Sequence, residues 1–170
     1  MTDLEFPRQV DLREIRDAPV KLEAAPEERA ALARRFGVIT VERLEAAVTL
    51  ERVGDDVMAQ GRLTAAIVQS CAVTGDDLAV AIDEPLAFRF VPESSVEAEE
   101  IELDSGDLDE IPYSGTTLEL GEAVAQSLAL AIDPFATGPE ADRVRKEAGL
   151  QDEAASGPFA ALAALKASKK

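Results

Sequence analysis

From residue 38 onward, hydrophobic and polar side chains alternate with a period of two. Leu44, Ala46, Val48 and Leu50 are interleaved with Arg43, Glu45, Thr49 and Glu51, the pattern of a half-buried strand. Gly54-Asp55-Asp56 interrupts the run as a turn. A second run follows, with Val57, Ala59, Leu63, Ala65 and Ile67 on one side and Gln60, Arg62 and Thr64 on the other. Thr74-Gly75-Asp76-Asp77 reads as another turn, and Leu78, Val80 and Ile82 open a third strand. Pro85 either breaks that strand or places it at a sheet edge, before Leu86, Phe88 and Phe90 resume the alternation. Three long strands joined by short turns predict an antiparallel β-meander. Its twist can curl it toward a barrel-like half-shell, and the pattern leaves closure open.

Two stretches carry the helical period instead. Pro26 suits a first helical position, Glu27 and Glu28 fall in the first turn, Arg34 and Arg35 in the last, and Gly37 supplies a stop. Leu32 and Phe36, four apart, are expected to face the core. A second helix is predicted after Thr116, whose spacing to Glu119 fits a capping box. Leu120, Val124, Leu128 and Ile132 form its stripe, and Pro134 ends it. Residues 4–22 mix apolar and charged positions and read as one or two short strands. The fold class predicted is therefore α+β, with two main helices on a meander.

The remaining segments are less ordered in pattern. Between the third strand and the second helix, residues 93–110 hold nine acidic side chains and no basic one. This acidic loop has room for one short strand at 98–103. Residues 1–134 read as a single domain and 135–157 as a flexible linker with a helical turn around 143–147. Residues 158–170 read as a short C-terminal helical segment presenting Phe159, Leu162 and Leu165 on one face. Such a short helix needs something to dock on, either a partner or the protein's own sheet.

Charge sharpens the picture. The chain has 17 Lys and Arg against 34 Asp and Glu and no His, a net charge of −17. Residues 1–139 carry 11 basic and 29 acidic groups, so nearly all the negative field belongs to the folded body. A polyanion repels nucleic acid, whose binding depends on cationic side chains neutralising phosphates. It attracts cationic surfaces. No run of about 18 apolar residues exists, so no membrane span is expected. The N-terminus, MTDLEFPRQV, lacks the features of a signal peptide. A single cysteine forms no internal disulfide. The expected location is the cytoplasm.

Candidate chemistry is sparse. Without histidine the commonest general base and metal ligand is missing. Cys71, beside Ser70 and Thr74, is read as a small buried apolar residue. Gly54, Gly61 and Gly75 stand singly and make no phosphate loop. The spacing of the acidic loop does not match a calcium-binding EF-hand. No catalytic residue, metal ligand or cofactor is expected, and the chain is read as not an enzyme.

Three pieces taken in order carry a resemblance. They are GRLTAAIVQSCAVTGDDL (Gly61–Leu78), IPYSGTTLELGEAVAQSLALAIDP (Ile111–Pro134) and GPFAALAALK (Gly157–Lys166). Together they resemble the YceD family of bacteria and plastids, over residues 10–166. The most specific parts are Tyr113-x-Gly115 with Leu120-Gly121-Glu122, and the Pro158-Phe159 box. Many members of that family carry a C-x-x-C pair at the hairpin. Here Cys71-Ala72-Val73-Thr74 lacks the second cysteine, so a two-cysteine zinc half-site is missing. The resemblance implies a part in the accumulation of large-subunit ribosomal RNA, in a family whose gene often neighbours that of a large-subunit ribosomal protein. Joined to the charge, it gives a non-catalytic factor in large-subunit biogenesis. The expected partner is a basic large-subunit ribosomal protein or a pre-ribosomal particle. The candidate partner-binding residues are Glu99, Glu100, Glu102, Asp104, Asp107 and Asp109 of the acidic loop, with Phe159, Leu162 and Leu165. The alternative is direct binding of ribosomal RNA through Arg29, Arg34, Arg35, Arg43, Arg52 and Arg62, aided by the C-terminal lysines.

Overall fold

The computed structural model describes residues 4–93 and 109–149. The strand suggested at 98–103 and the C-terminal helical segment lie outside the described residues. Contacts divide the chain into two compact units, residues 1–69 with 79–133 and residues 70–78 with 134–170.

The first unit is an α+β fold built on two sheets. Its elements are β1 (Gln9–Asp11), β2 (Val20–Glu23), α1 (Pro26–Phe36), β3 (Thr40–Val53), β4 (Asp56–Ser70), β5 (Asp77–Pro92), β6 (Asp109–Tyr113), β7 (Thr117–Glu119) and α2 (Leu120–Ala131). The larger sheet has the order β2-β3-β4-β5-β6, and β1 pairs with β7 in a small second sheet. The meander is present at its centre. Val53 opposes Asp56, so Gly54 and Asp55 form a two-residue turn, and Gly54 takes the positive φ (66°) that such hairpins demand. The sheet is open, with β2 and β6 at its edges. One strand departs from the meander: β6 lies parallel to β5, with Phe88 opposite Asp109 and Pro92 opposite Tyr113.

Alternation sorts the strands as expected. Leu44, Val48 and Leu50 of β3, Val57, Leu63 and Ile67 of β4, and Leu86, Phe88 and Phe90 of β5 are buried in one cluster. Leu32 and Ala33 of α1 join it, as do Leu120, Val124 and Leu128 of α2, while Phe36 packs at its margin. Each fully buried Leu or Phe contributes about 1.5–3 kcal/mol relative to exposure. That scale explains how a core of aliphatic side chains with three phenylalanines, Phe6, Phe88 and Phe90, suffices. Pro85 does not break β5, which runs through it. β6 pairs only from Phe88 onward, so Pro85 sits where no described strand lies beyond β5. A residue without an N–H is tolerated at such an edge.

The start of α2 corrects the expected capping box. Thr117–Glu119 are extended and pair with β1, which gives their backbone groups partners that a helix start would leave unmet. The helix begins at Leu120 and is capped by main chain. The Arg8 carbonyl accepts the N–H groups of Leu120 (3.0 Å) and Gly121 (3.3 Å). The approach is so close that a Cβ on Gly121 would stand 2.0 Å from the Phe6 carbonyl oxygen. The same segment is tied to α1: the Arg8 guanidinium donates twice to the Glu28 carboxylate (2.6 and 2.8 Å) and once to the Glu23 carbonyl. Glu28 also accepts the Ala25 N–H (2.7 Å), capping α1. Arg35, at the other end of α1, bridges Glu5 (2.9 Å) and Glu122 (2.7 Å).

The second unit joins the turn between β4 and β5 to residues 134–149. It contains α3 (Ala141–Glu147), where the sequence suggests a helical turn. Ala72 N–H donates to the Ala136 carbonyl (3.0 Å), and Ala141 is buried.

Candidate functional site

Three elements of the first unit end at one cleft. The β3–β4 turn contributes Asp55 and Asp56, the end of β5 contributes Pro92 and Glu93, and the link after β6 contributes Tyr113, Ser114 and Gly115. The volume is about 740 Å³. The parallel register that sets Pro92 opposite Tyr113 brings the last two together. The Tyr113 hydroxyl donates to the Asp55 carbonyl (2.6 Å) and so pins the turn to β6. The lining has three carboxylates and no Lys or Arg. Two cations flank it: Arg89 on β5, 3.7 Å from Asp56 and also paired with Glu110, and Arg52, which donates to the Gly54 carbonyl (3.1 Å). Among the described residues, no group of three His, Cys, Asp or Glu side chains is placed to hold a metal. An open, anionic, tyrosine-braced cleft of this kind suits cationic side chains.

The acidic loop begins at this cleft, since Glu93 lines it, and ends at Asp109, the first residue of β6. Of the candidate partner-binding residues, Asp109 alone is described, and it is exposed. Glu99, Glu100, Glu102, Asp104, Asp107, Phe159, Leu162 and Leu165 lie outside the described residues. Asp55 and Asp56 are site residues that sequence reasoning takes only as a turn. The Tyr113-x-Gly115 resemblance was the one signal pointing to this end of the sheet.

The arginines do not gather. Arg29, Arg34 and Arg35 are on α1, and Arg52 is at the far end of β3, donating to the Gly54 carbonyl. Arg43 opposes Ala66 while Arg62 opposes Ala47, a separation of four residues, or about 13 Å along the strands. Several cations are already engaged within the protein. Arg8, Arg13, Arg35, Arg62 and Arg89 are ion-paired to Glu28, Asp11, Glu5 with Glu122, Asp83, and Asp56 with Glu110.

In the second unit, Cys71 is buried as expected, yet its sulfur is not in an apolar setting. Sγ accepts the N–H groups of Gly138 (3.3 Å) and Thr74 (3.4 Å). The Gly138 amide foremost, then the Thr74 hydroxyl and the amides of Thr74 and Val73, lower the thiol pKa to about 6, against the opposing effect of burial. Thr74 also accepts the Asp76 N–H on its hydroxyl (3.2 Å). Gly138 is 67 residues away in sequence, and no local pattern announces it.

A family model described as "Large ribosomal RNA subunit accumulation protein YceD" matches residues 59–166. That is more than half of the chain. The chain belongs to the YceD family. No curated protein and no solved structure matches it. The match opens inside β4 and takes in the Cys71 turn, β5, β6, the Tyr113 side of the cleft and α2. The YceD name links the chain to accumulation of large-subunit ribosomal RNA. No helix among the described residues is long and apolar enough to cross a membrane.

Proposed function

We propose that this YceD-family chain is a non-catalytic, cytoplasmic factor in large-subunit biogenesis, which promotes rRNA accumulation by binding a basic ribosomal protein. The observation that carries this reading is the cleft at Tyr113, lined by Asp55, Asp56 and Glu93 without a cation and continuous in sequence with the acidic loop. A ribosomal protein rich in Lys and Arg would be held there before it meets RNA. Family membership supplies the process, and charge supplies the class of partner. The pairing of Arg35 and Arg62 with carboxylates, and the spacing of Arg43 from Arg62 along the sheet, weigh against an RNA-binding face.

The test is affinity capture of the tagged protein from its own lysate, with and without RNase, followed by identification of what is retained. Large-subunit proteins retained after RNase support the proposal. Their complete loss on RNase treatment transfers the function to direct RNA contact. A variant with Glu99, Glu100, Glu102, Asp104, Asp107 and Asp109 changed to their amides tests the loop. Its capture should weaken most at low salt, where exposed charges are least screened, and unchanged capture would remove the loop from the mechanism.

A further inference from the structure

A second, smaller cavity of about 280 Å³ lies between the last turn of α2 and β5. Ser127, Leu130 and Ala131 form one wall, and Glu84, Leu86 and Phe88 form the other, with Asp109 at its end. Two features of it are unusual for a solvated surface. Leu130 is 84% exposed, the most exposed large apolar side chain among the described residues. Glu84 has the wrong chemistry for its place. Counting along β5, it shares the inward phase of Ile82, Leu86, Phe88 and Phe90, all buried, yet it carries a charge and is exposed. Arg62 makes its contact pair with the neighbouring Asp83 and acts on Glu84 only through the field, so the Glu84 carboxylate has no contact ion pair among the described residues. The groove therefore presents an apolar wall with two carboxylates, Glu84 and Asp109, and no cation.

The edge also excludes one mode of docking. Pro85 has no N–H to offer, and an inward charge beside it is a device that discourages strand addition. What fits is a side-chain contact, not an added strand. We propose that this groove receives an apolar–basic segment of the protein partner, with an aliphatic side chain covering Leu130 and a Lys or Arg reaching Glu84 and Asp109. The inference rests on the reading above that the partner is a basic protein, and it is carried by charge complementarity around an exposed apolar anchor. An apolar anchor that the partner desolvates contributes affinity, and the charges beside it set orientation and encounter rate.

The probe is the RNA-free protein fraction of large ribosomal subunits, passed over the immobilised full-length protein. Three variants are compared with it: Leu130→Ser, Glu84→Gln, and Asp55→Asn with Asp56→Asn in the cleft. Leu130→Ser should weaken retention by about tenfold with an unchanged melting temperature, and Glu84→Gln should weaken it and flatten its salt dependence. Retention by the wild type and equally by both groove variants overturns the groove while leaving the proposed function standing. No retention by the wild type overturns both. Should Leu130→Ser instead change the solution mass, the groove's occupant is a second copy of this chain and the inference is wrong. If Leu130→Ser melts lower, Glu84→Gln decides, since it removes only an exposed charge.

Discussion

Gly121 shows how one residue can settle where a helix begins. Its N–H and that of Leu120 are both accepted by the Arg8 carbonyl, and its α-carbon lies against the backbone of Phe6 and Arg8. A methyl group there meets main-chain atoms at 2.0 and 2.9 Å, and these cannot rotate aside. Gly121→Ala should therefore destabilise the fold by about 3 kcal/mol or more, the upper range for overpacking, read as a fall in the urea midpoint. No loss, or the gain of up to about 1 kcal/mol that helix propensity alone gives Ala over Gly, would mean that the N-terminal segment does not lie on α2 as described. Cys71 makes a prediction of a different kind. Its folded pKa is lowered to about 6, while an unperturbed thiol titrates near about 8.5. Between those values the unfolded chain binds a proton that the native chain does not, so stability rises with pH across the window. The contribution is complete above the unfolded value and is lost as pH falls through about 6. Thiolate absorbance at 240 nm should follow a midpoint near 6, and Cys71→Ala should flatten stability over that window. A midpoint near the unperturbed value would mean that the amides of Gly138 and Thr74 do not reach the sulfur.

Among the elements, β5 is the most instructive. Its alternation was legible because one face is buried, and a period of two survives even the interruption at Pro85. Helix α1 was legible for a similar reason, as its charges, its proline and its terminal glycine all agree. What the pattern misses depends on distant partners. Nothing in DEIPY says that β6 runs parallel to β5, because parallel and antiparallel neighbours read alike in so short a run. Thr116 and Glu119 have the spacing of a capping box, but β1 claims the residues between them, and β1 is more than 100 positions upstream. The candidate site divides in the same way. Its acidity is visible in composition, whereas the meeting of Asp55 with Tyr113 depends on a hydrogen bond across 58 residues. The edge of β5 yields a prediction at this scale. Pro85→Thr restores an N–H and a β-favouring side chain at a position with no described strand beyond it. The variant should keep its fold and self-associate at high concentration, measured by light scattering after size-exclusion chromatography. An unchanged mass would mean that Glu84 alone protects this edge.

At the scale of the whole molecule, a net charge of −17 acts on folding and binding in opposite directions. Within the folded body, carboxylates outnumber cations, and Arg8, Arg35, Arg62 and Arg89 are committed to local pairs. The remaining acids repel one another, and compaction brings them closer than they are in the unfolded chain. Salt shortens the reach of that repulsion, from about 10 Å at 0.1 M to about 3 Å at 1 M. The fold should therefore gain on the order of 1 kcal/mol across that range, or about 3 °C in melting temperature for a chain of this size. The same screening weakens attraction to a basic partner, so affinity for purified large-subunit proteins should fall as stability rises. The two slopes together are diagnostic, and calorimetry and binding can be run on one protein preparation in the same buffers. If stability rises with salt while binding stays flat, the charge serves solubility and the partner is held by apolar contacts such as those at Leu130. If both fall with salt, the local ion pairs of Arg8 and Arg35 outweigh the repulsion between the acids. The opposed pair of slopes is what a body that stores excess negative charge for a cationic partner must show, because the repulsion it tolerates when alone is what the partner relieves.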